Sequence, residues 1–288
     1  MTDKAQKISV VLPVCHVNRD WLRASIESVL AQDRVDRELI VVNDGETEDI
    51  DALVKYYGIR KYIKNDRNRN LPYSLNRGFE AAEGVLNTWT SADNVMLPGM
   101  LSVLAGELNE HASVDVVFGR SVTMDENGAI TDDSLAQQRR LSALAGMDAA
   151  ATHIPRRYVY FGTLGACFMY RSEVWKQAGG YDETAHGAED YDFWIRVAGR
   201  CTIRRLPLEV PPCYAYRVHP SSMSNTVKGC YTRMRLPILR RELRQRPTDF
   251  GLYKAWMFYS WLSLREAWRA TQWPTKFRCR DRPLPREG

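Results

Sequence analysis

Four short stations carry residue types suited to chemistry. They are Asn43-Asp44-Gly45 after one apolar run, Ser91-Ala92-Asp93-Asn94 after another, Glu189-Asp190 before an apolar helical pattern, and His219 in the polar loop Arg217-Val218-His219-Pro220-Ser221-Ser222. A carboxylate at Asp44 can accept a hydrogen bond from a base N–H or a ribose hydroxyl, and Gly45 lets the backbone turn sharply beside it. The same three residues also suit a plain turn. Asp93 can hold a hard divalent cation, Mn2+ or Mg2+, against a diphosphate. It can also cap a helix starting near Pro98, although the spacing is poor for a cap. Consecutive helical side chains point about 100° apart, so only one of Glu189 and Asp190 can face a cleft as a base. The other can satisfy N–H groups at the helix start. His219 suits a metal ligand, a diphosphate donor or an ordinary structural histidine. In this order the stations suggest a nucleotide pocket, a metal and diphosphate station, a base and a closing ligand.

Alternating strands and helices must position these groups. Ile8 to Val14 is a β-branched apolar run, a helix pattern follows at Trp21, Leu22, Ile26, Val29 and Leu30, and Glu38 to Val42 is a second strand. The pattern continues with a short strand at Tyr62-Ile63, a helix from about Pro72 to Glu83 with Pro in its first turn, and a strand at Val85 to Thr90. Pro98 to Leu108 predicts a helix and Val114 to Phe118 a strand. Such alternation predicts an α/β fold with a mainly parallel sheet flanked by helices, whose ligands collect beyond the C-terminal strand ends. Pro13-Val14, Asn43-Asp44-Gly45 and Ser91 to Asn94 all fall at such ends.

The polar stretch Met124 to Arg157 predicts only partial helix and reads as a mobile functional loop. A strand at Gly165 to Tyr170, a helix at Glu173 to Gln177 stopped by Gly179-Gly180, a helix at Asp190 to Ala198 and strands at Thr202 to Leu206 and Cys213 to Val218 complete the expected domain, residues 1–225. A helical extension, 226–275, carries Leu236, Leu239 and Leu243 among arginines, then Tyr253, Met257, Trp261, Leu264 and Trp268 at helical spacing. This stripe suits packing on the domain, a homodimer contact or an anionic membrane surface. The basic, Pro-containing tail 276–288 is expected to be disordered.

With 288 residues and 44% hydrophobic content, the chain can bury a sizeable core. Its net charge of +5, with the basic excess mostly in the C-terminal third, does not call for a nucleic-acid partner. Six cysteines without a C-x-x-C pair or metal-ligand spacing are expected to stay reduced. No segment resembles a signal peptide or a spanning helix, so cytoplasmic work is expected, with peripheral contact at the membrane face as a variant.

The chain resembles the family 2 glycosyltransferases of the GT-A fold. The segments that carry the resemblance are Ile8 to Val14, Glu38 to Gly45, Ser74-Leu75-Asn76-Arg77-Gly78, Thr90 to Leu101, and Ala188-Glu189-Asp190-Tyr191-Asp192-Phe193-Trp194-Ile195-Arg196, in the family's order over roughly the first 220 residues. It implies transfer of a sugar from a nucleotide-diphosphate sugar to a hydroxyl of a carbohydrate or lipid-linked glycan acceptor, with inversion, in polysaccharide or glycoconjugate assembly. UDP is the commonest carrier in the family, and GDP and dTDP stay open. The resemblance assigns Pro13, Val14, Asp44, Arg77, Ser91, Ala92 and Asp93 to the nucleotide-sugar. It makes Asp93 and His219 the metal ligands and Asp190 the base, and Glu189 a residue that positions the acceptor or caps the helix. The chain departs from the D-x-D metal motif, because Ser91 stands at its first position and Asn94 follows Asp93 where an acid is common. Weaker metal binding without donor is therefore expected. A catalytically idle sugar-nucleotide-binding scaffold or regulatory protein is the alternative. A nucleotidyltransferase is disfavoured, since Cys15-His16-Val17-Asn18-Arg19 has no glycine to cradle a triphosphate.

Overall fold

In a computed structural model, which describes residues 6–16, 18–46, 50–133, 135–148, 150–162, 164–185, 187–222 and 231–272, the chain divides into two units, residues 1–218 and 219–288. The first opens with β1 (Lys7–Val14), α1 (Arg19–Leu30), β2 (Asp36–Asn43), α2 (Asp51–Tyr56), β3 (Lys61–Lys64), α3 (Leu71–Glu80) and β4 (Leu86–Trp89). It continues through β5 (Val95–Met96), α4 (Met100–Glu110), β6 (Val116–Phe118), β7 (Ser121–Met124), β8 (Ile130–Asp133), α5 (Leu135–Leu144), β9 (His153–Ile154) and α6 (Arg156–Phe161). It closes with β10 (Phe168–Arg171), α7 (Ser172–Ala178), a short 3-10 turn (Glu183–Ala185), α8 (Glu189–Ala198), β11 (Ile203–Arg205) and β12 (Tyr214–Arg217). The polar stretch 124–157, expected to be only partly helical, thus also holds strands β8 and β9.

Eight strands form one sheet in the order β3-β2-β1-β4-β10-β6-β11-β9. The half around β1 is parallel, and β10 runs antiparallel to both β4 and β6. A second sheet, β5-β12-β7-β8, stands beside it. Side-chain alternation explains why β1 is the centre. Ile8, Val10, Leu12 and Val14 bury toward Leu22, Ile26 and Val29 of α1 and Leu101, Leu104 and Leu108 of α4, whereas Val11 buries with Leu75 and Phe79 of α3. Helices therefore cover both faces.

Local chemistry explains the helix ends. Asn18 caps α1, its Oδ1 accepting from the N–H of Asp20 at 2.9 Å and of Trp21 at 3.3 Å. Pro72 sits in the first turn of α3, and Gly179 ends α7 in the left-handed region at φ 75°. At the opposite sheet edge from the strand C-termini, Glu38 of β2 accepts from Ser9 at 2.6 Å and pairs with Lys61 at 2.8 Å. Burial would raise the Glu38 pKa, but these hydrogen bonds hold it down at about 2.

The second unit contains α9 (Tyr231–Gln245) and α10 (Phe250–Gln272). They pack together through Ile238 and Leu239 of α9 and Leu252, Ala255 and Tyr259 of α10, all buried. Arg235 Nη1 donates to Tyr259 Oη at 2.6 Å, and Thr232 Oγ1 to Glu266 Oε1 at 3.1 Å. The expected tail 276–288 lies outside the described residues.

The approach of α3 to β1 is the tightest helix–sheet contact at the centre. A Cβ at Gly78 would overlap the Cγ1 of Val11, a buried branched side chain with nowhere to move. Gly78→Ala should therefore destabilise the fold by about 1–3 kcal/mol, as overpacking does. Thermal melting checks this, with an expected fall in Tm of several degrees.

Candidate active site

The C-terminal ends of β1, β2 and β4 stand side by side, with Val14 in register with Asn43 and Val11 with Trp89. This places Pro13-Val14 between the loop of Asp44 and the loop of Ser91 to Asn94. The Asp44 N–H donates to Val14 O at 2.9 Å, and the Thr90 N–H to Val11 O at 3.0 Å.

Asp44 is only 3% exposed. Its Oδ1 accepts from Asn65 Nδ2 at 2.7 Å and from the Arg69 N–H at 2.8 Å. Asn65 is held in turn: its Nδ2 also donates to Ser74 Oγ at 2.8 Å, and its Oδ1 accepts from Arg77 Nη1 at 2.7 Å. Arg77 thus braces the acidic residue through Asn65. Gly45 takes φ 72°, and a Cβ there would overlap the backbone of Arg67 and Asn68. The Asn-Asp-Gly segment is therefore a turn and also a fixed mount for a carboxylate. Asn43 fastens its other side, accepting from the Glu46 N–H at 2.7 Å. Beside the mount, burial together with the charges of Asp44 and Glu46 pushes the Cys15 thiol up to about 12, so it stays protonated.

The second loop is fixed by groups that sequence reasoning passed over. Asn94 is buried, and its Oδ1 accepts from the Arg217 N–H of β12 at 2.8 Å. Arg217 Nε donates to Asp93 O at 2.9 Å, and Nη1 donates to Asp125 O and Glu126 O, each at 2.9 Å. Its guanidinium lies over the Trp21 ring, 5.0 Å from the centroid. Burial lowers the Arg217 pKa, while Asp93 and Asp125 act to raise it. Asn94, at the position where an acid is common, is thus committed to holding β12. The helix-cap alternative for Asp93 does not hold, because α4 begins at Met100 after Gly99.

The third station stands at the start of α8. Glu189 is 5% exposed and accepts from the Gly187 N–H at 2.5 Å, while Asp190 is half-buried. Burial first, then the charge of Asp190, pushes the Glu189 carboxyl up to about 7 against the opposing hydrogen bond from Gly187. The two neighbours therefore have different environments. Tyr181 links this turn to β4: its Oη accepts from Trp89 Nε1 at 3.0 Å, and its ring stacks on Phe193 of α8 at 4.4 Å. The charges of Asp190 and Glu189 act on the Tyr181 phenol, and burial raises its pKa further than they do. Asn76 of α3 clasps the Tyr181 backbone, with Oδ1 accepting from its N–H at 2.7 Å and Nδ2 donating to its O at 2.9 Å. Asp192 is fully buried and paired with Arg196 at 2.7 Å, which also holds Gly180 O at 2.8 Å.

His219 is the first residue of the second unit, with Nδ1 and Ser221 Oγ 2.9 Å apart. Asn65 and Tyr181 were missed, and the holding roles of Asn94 and Arg217 were not read, because amides, arginines and tyrosines near loops look like ordinary surface chemistry. The position of Asn65 directly after β3, at a strand C-terminus, is the signal that could have found it. Among the described residues, a group of Glu107, Glu110 and His111 lies at the end of α4, next to the start of β6 and so at the opposite sheet edge. Glu107 is paired there with Arg204. A cavity of about 210 Å3 beside His153, Arg156 and Cys201 also adjoins the N-terminal end of β11, away from the stations. Cys15, Cys167, Cys201 and Cys213 are free thiols, and Cys230 and Cys279 lie outside the described residues.

Glu189 gives a pH prediction. Its pKa rises from 4.5 in the unfolded chain to about 7. The native state therefore resists its ionisation, and stability falls as pH rises from 4.5 to 7. Glu189→Gln keeps an acceptor for Gly187 and removes this cost. It should raise stability above pH 7 by on the order of 1 kcal/mol, and leave it unchanged near pH 4, as Tm measured across pH will read.

The family profile described as Glycosyl transferase family 2 matches residues 9–178. An uncharacterized glycosyltransferase of Methanocaldococcus jannaschii is 26% identical over 196 residues, covering 66% of this chain and 63% of that protein. One of Rickettsia prowazekii is 23% identical over 219 residues, covering 76% and 66%. The chain thus spans about two thirds or less of these relatives. Among solved structures, Staphylococcus aureus TarS 1-349 in complex with UDP-GlcNAc superposes with a TM-score of 0.63 at 20% identity, covering 82% of this chain and 66% of that one. The likeness extends the resemblance seen in the sequence from motifs to architecture: the chain belongs to glycosyltransferase family 2 and has the GT-A fold.

Proposed function

We propose that the protein is an inverting glycosyltransferase that moves a sugar from a nucleotide-diphosphate sugar, a UDP-sugar first, to an acceptor hydroxyl. The observation that carries this reading is the convergence of Asp44, the Ser91 to Asn94 loop and, through Trp89 and Tyr181, the Glu189-Asp190 turn at one edge of the sheet. The UDP-GlcNAc bound by TarS, on a similar fold, supports the choice of carrier.

Asp44, held by Asn65 and Arg69, presents an acceptor to the base or ribose, and Pro13 borders it at the end of β1, where the Val14 side chain is fully buried in the core. Ser91 offers a hydroxyl and Asp93 a single carboxylate. Mg2+ is commonly bound by one or two carboxylates with substrate phosphates completing the shell, so this donor set fits a cation that arrives with the diphosphate. When bound, Mg2+ or Mn2+ would neutralise charge on the departing nucleotide.

Asp190 acts as the base in a single displacement. The acceptor oxygen bonds to the anomeric carbon, the bond from that carbon to the diphosphate oxygen breaks with its electron pair leaving on the nucleotide, and the hydroxyl proton passes to Asp190. The configuration inverts once. A carboxylate of ordinary basicity suffices, because the hydroxyl becomes acidic only as its bond forms. Glu189, protonated over part of the neutral range, adds no second full charge beside the base.

UDP with Mn2+ should raise the melting temperature more than UDP alone, GDP or dTDP. Asp190→Asn should retain that shift while losing turnover by about 10²–10⁴-fold, the usual scale for a general base. Turnover surviving in Asp190→Asn overturns the assigned base. Nucleotide binding without turnover of any UDP-, GDP- or dTDP-sugar by the intact protein would favour a sugar-nucleotide-binding protein instead.

A further inference from the structure

In the second unit, α10 has two apolar faces. Leu252, Ala255 and Tyr259 form one and pack against α9. Phe250, Tyr253, Met257, Trp261 and Leu264 form the other and are exposed, Phe250 by 80%, Trp261 by 54% and Leu264 by 72%. At about 100° per residue the exposed set fills an arc roughly 80° wide on the side opposite the packed face. The pairing of α9 with α10 therefore leaves this stripe uncovered, and a contiguous apolar stripe of this kind marks a contact surface.

Charge identifies what it contacts. From His219 to Gly288 the sequence carries fifteen Lys and Arg against five Asp and Glu, a net +10, while the first 218 residues carry 25 against 30, a net −5. Lys254 and Arg265 border one long edge of the stripe on α10 and are exposed, and the Arg265 guanidinium lies over the Trp261 ring at 5.4 Å. Arg233, Arg240 and Arg244 of α9 are exposed as well. Phe, Leu and Met beside Trp and Tyr, edged by long cationic side chains that reach outward, match the depth profile of a headgroup region. A second copy fits less well, since a two-fold contact would bring two stripes edged by like charges together. No helix among the described residues is long and apolar enough to cross a membrane.

We propose that the exposed face of α10 docks the protein on an anionic lipid bilayer, lying in the plane of the surface with Trp261 and Leu264 inserted and Lys254 and Arg265 at the headgroups. This does not rest on the proposed sugar transfer. Flotation of the full-length protein with vesicles of phosphatidylcholine and phosphatidylglycerol tests it, with phosphatidylcholine alone as control. Binding is expected to the anionic vesicles only, and to weaken as salt rises. Trp261→Ser with Leu264→Ser should weaken it roughly tenfold or more, and Lys254→Glu with Arg265→Glu should weaken it and flatten its salt dependence. Both variants change exposed side chains, so each should melt like the parent and keep the parent's thermal response to UDP, whatever that response is. Absence of binding to anionic vesicles at low salt overturns the proposal. So does a dimer in solution that Trp261→Ser with Leu264→Ser converts to monomer, which would give the face to a second copy.

Discussion

The closeness of α3 to β1 governs the geometry of the candidate site. Without a side chain at Gly78, the helix rests directly on Val11 of the central strand, and its polar residues reach both sides from that seat. Ser74 and Arg77 hold Asn65, which holds Asp44 at the end of β2. Asn76 holds the backbone of Tyr181, whose ring packs on α8. One helix thus sets the position of two carboxylate-bearing segments 146 residues apart, Asp44 and Asp190. Each link up to Tyr181 is a short hydrogen bond to a buried or half-buried amide, a kind that tolerates little displacement, and the last is a ring stack.

In the parallel half of the main sheet, β1 and β2 were legible as β-branched runs buried over most of their length, and α1 and α3 by their apolar periodicity. The helices at 100–110, 172–178 and 189–198 were legible for the same reason. The small sheet was legible only at Tyr214 to Arg217. Its partner β5 has two residues, and β12 pairs with β7 across about ninety residues of chain, so no local pattern records the pairing. In the stretch 124–157, polar residues cover a helix and two short strands whose burial depends on distant neighbours, which weakens any periodic signal.

At the site, the stations themselves were legible as acids after strands or before a helix. What holds them was not. Asn65, Asn94 and Tyr181 act through hydrogen bonds that join segments remote in sequence, and an isolated amide or phenol gives no sign of such a partner. The different burial of Glu189 and Asp190 follows from the angular step between helical neighbours, yet which of them points inward depends on the aromatic packing around Tyr181 and Phe193.

Arg217 grips the loop of Asp93 and the turn at Asp125 and Glu126 through main-chain oxygens. Such a bolt grips the backbone and is indifferent to the side chain at 126, whereas the carboxylates of Asp93 and Asp125 also act on the guanidinium charge, and Asp125 Oδ1 accepts from the Asn127 and Ala129 N–H groups. Drift at 126 can therefore proceed by single steps while the backbone beside Asp93 keeps its place, without first solving a folding problem.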